Sequence, residues 1–98
     1  MIQIDFDRRC VRVNGLDVRL TPVEYRLVAT LARRAGRIVP VADLVHQAWG
    51  EASCPPGYLE IYVERLWHKL ERDPKRPRLL FPDGTGYRLE LDELREAG

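Results

Sequence analysis

Two cysteines, two histidines and a single methionine are all that this 98-residue chain offers to thiol or soft-metal chemistry. Cys10 and Cys54 stand alone, without a Cys-x-x-Cys pair or a histidine at ligand spacing, so no metal centre is expected. They read as free thiols in a reducing compartment, with a bridge between them the lesser alternative. No apolar run approaches the ~20 residues that a membrane helix needs, and the N-terminus lacks the charged and apolar regions of an export signal. The chain therefore reads as cytoplasmic, with no membrane partner. Catalytic sets are also missing. His46 and His68 fall on different helices with no acidic orienter, and Gly84-Thr85-Gly86 is too short for a phosphate loop and lacks the lysine that follows one. No enzyme activity, catalytic residue or cofactor is expected. Charge of one sign is scarce too. A net charge of +1 gives the whole molecule no footprint for a polyanion, so any such role needs locally concentrated charge.

What is present is an ordinary globular composition, 45% hydrophobic and 32% charged, with length for one modest core. Residues 1–98 are read as a single domain. Ile2, Ile4 and Phe6 alternate with Gln3, Asp5 and Asp7, the period of a half-buried strand. Cys10-Val11-Arg12-Val13 and Leu16-Asp17-Val18-Arg19-Leu20 flank Asn14-Gly15, whose tolerance of positive φ marks a type I′ hairpin. Val11 and Val13 would then share a face with Leu16, Val18 and Leu20. Thr21-Pro22-Val23-Glu24 opens a helix with an N-cap, a proline at the first helical position and a capping-box glutamate. Leu27, Val28 and Leu31 form its inner face, and Gly36 stops it. A second, poorly capped helix runs over residues 40–49 with Gly50 as its end. The prolines of residues 50–57 then hold a loop.

Residues 54–73, CPPGYLEIYVERLWHKLERD, hold the third helix. At about 100° per residue, Leu59, Val63, Leu66 and Leu70 fall in one narrow stripe suited to a core. Ile61, Arg65, His68 and Arg72 lie opposite, and three of these four can carry positive charge. The helix is expected to stop near Asp73-Pro74. A basic connector, residues 75–78, leads to a second hairpin over residues 79–91 with its tip at residues 82–86. Residues 92–98 are expected to be a frayed turn or a cut end. The order is an N-terminal antiparallel sheet (2–20), a three-helix core (21–73) and a hairpin wing (79–91). That is an α+β winged helix-turn-helix, a layout with a groove-reading helix and a wing.

These residues also resemble a family. Leu20-Thr21-Pro22-Val23-Glu24-Tyr25-Arg26-Leu27 is similar to the first-helix signature of the DNA-binding domains of OmpR/PhoB-type response regulators. Ala48-Trp49-Gly50 resembles the end of their second helix. The stretch from Tyr58 to Glu71 with Asp73-Pro74 resembles their recognition helix and its exit, and Gly84-Thr85-Gly86-Tyr87-Arg88-Leu89 resembles their wing. Tyr58-Leu59, Ile61-Tyr62 and the segment from Lys69 to Arg78 look closest to the branch that controls potassium-transport operons. The resemblance implies a third helix in the major groove of double-stranded DNA and a wing at the adjacent minor groove. It also implies tandem dimers on DNA, control by an upstream receiver domain, and a residue 50–57 loop that can face RNA polymerase. A further strand commonly precedes the one matched by residues 2–6, so the chain is expected to be either a fragment or a divergent free-standing domain.

By this resemblance Arg65 matches a base-contacting arginine, and Trp49 and Tyr87 match phosphate-contacting positions. Tyr62 stands where some members carry a phosphate-contacting histidine. Arg65 has Ile61, Tyr62, His68 and Lys69 at the helical neighbour positions, hence no acid to pair with. His68 and Arg72 share its face and are expected as phosphate partners. Lys69 lies to one side, as a contact or a solvated charge. Thr85 could donate from the wing, and Tyr87 is mainly an anchor whose hydroxyl could reach a phosphate. Three departures oppose this reading. Trp67 stands where a second arginine often follows and is expected to pack rather than stack on a base. Glu64 would repel a phosphate backbone, and Asp83 replaces a wing arginine. The expected function is sequence-specific DNA binding in a bacterial two-component-type transcription regulator. The alternative is a protein-interaction module of the same fold, facing RNA polymerase or itself, with weakened DNA binding.

Overall fold

The computed structural model describes residues 2–34, 36–50 and 54–90 with their side chains, and the backbone of a strand at 94–96. Strand β1 (Ile2–Asp5) pairs antiparallel with β2 (Cys10–Val13), which turns into β3 (Leu16–Val18). Asn14 and Gly15 carry φ of 51° and 82°, the two positive values of a type I′ turn. The register sets Val11 against Val18 and Val13 against Leu16, so these side chains do share a face. Ile2, Ile4 and Val11 close one side of the core.

The end of the chain corrects one expectation. Within residues 92–98, β7 (Leu94–Glu96) runs parallel to β1, giving the sheet order β3-β2-β1-β7. The sheet is therefore mixed rather than purely antiparallel. With β2 on one side only, β1 would leave a row of unpaired backbone groups, and β7 covers that edge.

Helix α1 (Pro22–Arg33) begins as the sequence predicts. The Thr21 amide donates to Glu24 Oε1 at 2.8 Å, and the Glu24 amide donates back to Thr21 Oγ1 at 3.3 Å. Helix α2 (Val41–Trp49) starts at Pro40 without a side-chain cap and ends at Gly50, as expected. Arg26 Nη1 donates to the Ala48 carbonyl at 3.0 Å, tying the middle of α1 to the end of α2.

Helix α3 (Tyr58–Leu70) buries Leu59, Val63, Leu66 and Leu70, each at 3% exposure or less. It ends about a turn before Asp73-Pro74, because Glu71 leaves the helix in an extended conformation with ψ of 140°. The wing is β5 (Leu80–Asp83) and β6 (Gly86–Leu89), with a tip of only Gly84-Thr85. Gly84 has φ of 61° at the first central position, where a type II′ turn requires glycine. The predicted five-residue tip is shorter because Pro82 and Asp83 remain in register with Tyr87 and Gly86.

A third strand joins the wing. β4 (Val39–Pro40) pairs with β6, in the order β4-β6-β5, so the segment entering α2 shares a sheet with the hairpin. Two residues are too few to show a strand period in sequence. The approach is close at Gly86. A methyl group there would overlap the Val39 carbonyl oxygen and lie 2.9 Å from Pro40 Cα. Only glycine fits that crossing.

Candidate nucleic-acid interface

With its leucine–valine stripe turned inward, α3 exposes Ile61, Arg65 and His68. Arg72, expected on the same face, is exposed but lies beyond the helix, because Glu71 has already turned extended. The end of α2 meets this helix through aromatic contacts. Trp49 and Tyr62 pack edge to face with centroids 5.3 Å apart, and Tyr58 joins at 6.5 Å from Tyr62. The Arg65 guanidinium lies over the Tyr62 ring, 4.8 Å from its centroid. Such a stack is worth about 0.5–1 kcal/mol at an exposed site and holds the cation without neutralising it. Among the described residues no acid pairs with Arg65, His68 or Arg72. Trp49, Tyr62 and Arg65 are thus brought together, with Tyr58 as a member that its sequence position alone does not single out.

Lys69 faces elsewhere. Its Nζ donates to Glu24 Oε1 at 2.6 Å and to the Arg19 carbonyl at 3.0 Å, joining α3 to the start of α1. Glu24 is almost fully buried, and its Oε2 has no partner among the described residues. Burial pushes the Glu24 carboxyl up, but the Lys69 and Thr21 hydrogen bonds and the Lys69 charge outweigh it, and the net shift is downward. The ammonium of Lys69 is an internal tie rather than a free surface cation.

The wing carries Thr85 exposed at its tip, while the Thr85 carbonyl accepts from the Val41 amide at 3.1 Å. Tyr87 is half-buried in β6. Burial, and then the charge of Glu60, raise its pKa, so its hydroxyl keeps its proton and remains a donor at neutral pH. Asp83 does not stand as a bare negative charge. It pairs with Arg88 at 3.5 Å, Arg88 also reaches Glu90 at 3.5 Å, and its guanidinium stacks on Phe81 at 4.7 Å. Glu60 and Glu64 remain exposed on α3.

Between helix and wing, the basic connector is held by acids acting on its backbone. Asp73 accepts from the Lys75 amide at 3.0 Å through its side chain, and from the Arg76 amide at 2.9 Å through its carbonyl. The buried Glu71 carboxylate accepts from the amides of Arg78, Leu79 and Leu80 at 2.7–3.2 Å. These acids are occupied, whereas the side chains of Arg72, Lys75, Arg76 and Arg78 point to solvent. Glu71 is not legible in sequence as an anchoring residue, since no pattern marks a carboxylate that bonds seven to nine residues ahead.

Two other features bound the site. A surface depression on the N-terminal sheet is lined by Gln3, Asp5, Asp7, Arg8, Cys10, Arg12 and Asp17. Its charges pair internally, Arg12 with Asp17 at 2.7 Å and Arg8 with Asp5 at 3.9 Å, so it lacks the free cations of the α3 face. Among the described residues no His, Cys, Asp and Glu group could hold a metal ion, and no helix is long and apolar enough to cross a membrane.

A three-helix core, a third helix with an unpaired cationic face and a three-stranded hairpin sheet define a winged-helix domain. Residues 15–89 match the family described as "Transcriptional regulatory protein, C terminal", and the chain belongs to that family, the C-terminal domains of OmpR/PhoB-type regulators. It is 38% identical over 92 residues to the KDP operon transcriptional regulatory protein KdpE of Escherichia coli K12, covering 92% of this chain and 41% of that protein. This agrees with the resemblance to the potassium-transport branch. The response regulator DrrB of Thermotoga maritima, an OmpR/PhoB homologue, superposes with a TM-score of 0.79 at 29% identity over 88% of this chain and 40% of that one. The AdeR DNA-binding domain, solved in complex with an intercistronic region, gives a TM-score of 0.76 at 23% identity, covering 91% of this chain and 93% of that one. The chain spans about two fifths of the length of the curated relatives it matches.

Proposed function

We propose that this chain binds double-stranded DNA sequence-specifically, as the DNA-binding part of a two-component-type transcription regulator. One observation carries the reading. Arg65 is exposed on α3, unpaired by any described acid and held over Tyr62, on the same face as His68, with Arg72 exposed just past the end of the helix. In the major groove Arg65 can donate two hydrogen bonds to a guanine. Arg72, Lys75, Arg76 and Arg78 supply cations for phosphates, and Thr85, Trp49, Tyr62 and Tyr87 supply neutral donors near the backbone. Lys69 is left out, because its amine is engaged within the fold. AdeR, which shares the fold, was solved with DNA, and the KdpE name describes an operon regulator; both support the reading.

Titration of a labelled candidate promoter at several salt concentrations tests this. Three or four phosphates neutralised would give a slope of log K against log salt of about −3 to −4. A flat salt response and no preference for any promoter over random duplex would refute the reading.

We further propose an upstream receiver domain, a tandem dimer on direct repeats, a cytoplasmic location and no catalytic role. All four rest on kinship with regulators that are longer than this chain. The second reading, a protein-interaction module facing RNA polymerase or a second copy, is favoured by one observation. Arg88, the arginine on the wing strands, is tied to Asp83 and Glu90. Arg65→Ala separates the two, since only the first makes DNA affinity depend on it.

A further inference from the structure

The last turn of α3 grips the root of the wing by both kinds of backbone group. Trp67 and Glu71 are one helical turn apart and so project to the same side. Trp67 Nε1 donates to the Leu80 carbonyl at 3.0 Å, while the Glu71 carboxylate accepts from the amides of Arg78, Leu79 and Leu80. Leu80 is therefore held at its N–H and its C=O by one helix. Glu71 is 7% exposed and Leu80 is fully buried, so water does not compete strongly for these bonds. On the far side of the strand, the Glu90 amide donates to the Leu79 carbonyl at 2.7 Å, which passes the constraint to the other arm of the hairpin.

We propose that Trp67 and Glu71 are positioning residues that fix the wing against the recognition helix, so that the two meet neighbouring grooves of one duplex at a set spacing. This rests on the DNA-binding reading above. Neither residue touches DNA in this scheme. Trp67 spends its one donor on the wing's root, so its indole N–H is not available to a phosphate. A wing that is itself charge-neutralised contributes little by long-range attraction, so its contribution depends on being held in place.

The test uses the whole chain with Glu71→Gln, which keeps the side chain's shape but turns an NH₂ toward amide donors, and Trp67→Phe, which keeps a ring and removes the donor. Amide hydrogen exchange at residues 78–80 and residual dipolar couplings of β5 and β6 against α3 report on the free protein. On a bound duplex, guanine N7 methylation protection reports the major groove and hydroxyl-radical cleavage the minor groove. Both variants are expected to stay folded, to exchange faster at residues 78–80 and to lose the fixed wing orientation. Minor-groove protection should disappear while guanine protection persists. Affinity should fall about tenfold while the salt slope stays as it is, because the wing supplies neutral donors and its arginine is already paired. Adding Thr85→Ala to Glu71→Gln should bring no further loss, because both act through the wing.

Unchanged wing orientation, unchanged footprints in a variant that binds, or fully additive losses would each overturn the positioning role. Where Glu71→Gln fails to fold, Trp67→Phe alone carries the same readouts. If the unsubstituted chain binds no duplex at all, the DNA reading fails first and takes the groove spacing with it. Wild-type binding with an unaltered Glu71→Gln footprint overturns the positioning role alone.

Discussion

Arg65 and Arg88 begin from the same arrangement and end with opposite properties. Each guanidinium stacks on an aromatic ring, Arg65 over Tyr62 at 4.8 Å and Arg88 over Phe81 at 4.7 Å. On α3 the helical neighbours of Arg65 are apolar, aromatic or basic, so the charge stays available. On the wing, β-pairing sets Arg88 opposite Phe81, and Asp83 and Glu90 close on its guanidinium from either side. Stacking orients an arginine. Whether it can also bind a polyanion is decided by the acids around it. The weak net charge of the whole chain therefore conceals a division between the unpaired cations of Arg65 and the connector that follows α3, and a self-neutralised hairpin.

The largest expected effect removes the hairpin from the comparison. Gly86→Ala forces a methyl group into the Val39 backbone, and urea denaturation should show a loss of about 3 kcal/mol. A shift below about 0.5 kcal/mol, the range of an ordinary surface substitution, would mean that β4 and the wing are not docked as described. Next in size, Arg65→Ala should weaken duplex binding by about 1–3 kcal/mol while leaving the unfolding midpoint unchanged, whereas Arg88→Ala should leave affinity almost intact. Equal losses from the two would erase the distinction between helix and wing.

The Lys69–Glu24 pair is expected to matter for stability alone. Lys69→Met leaves the buried Glu24 carboxylate without its cation and should cost about 2 kcal/mol, less than a fully buried pair because the lysine is one-third exposed. The sign with pH follows from the lowered Glu24 pKa. The stabilisation is complete above the ordinary glutamate value of about 4.3 and is lost as pH falls through the lower folded value. In Lys69→Met, where burial dominates, acid unfolding should begin at a higher pH. Urea midpoints collected from neutral pH downward check both statements. The smallest effect is a gain. Asp83→Asn with Glu90→Gln frees Arg88, and the salt slope of DNA binding should steepen by at most about 0.9.

Much of the scaffold is legible in the sequence because its signals are local. Thr21, Pro22 and Glu24 specify a helix start within four residues, and Asn14-Gly15 specifies a hairpin within two. The buried stripe and the exposed Arg65 face of α3 follow from periodicity. The features that sequence does not show depend on contacts between distant segments. Val39–Pro40 becomes a strand only because β6 passes beside it, and Leu94–Glu96 only because β1 offers an open edge. Lys69 reads as a side-facing surface lysine until Glu24, 45 residues away, accepts its hydrogen bond. Glu71 belongs to the same class: its partners are backbone amides, which carry no residue identity. Asp83 reads as a bare repulsive charge until Arg88 is set beside it, because a charge replacement in sequence does not show which neighbour will answer it.

The ring beneath Arg65 also bears on the entropy of recognition. A free arginine side chain surrenders about 1.5–2 kcal/mol of rotamer freedom when it is fixed. Tyr62, itself edge-on to Trp49, has removed part of that freedom before any partner arrives. Phenylalanine at position 62 would remove only the hydroxyl, and leucine the ring as well. The further loss from phenylalanine to leucine leaves every donor of Arg65 in place and should appear in the entropy of association.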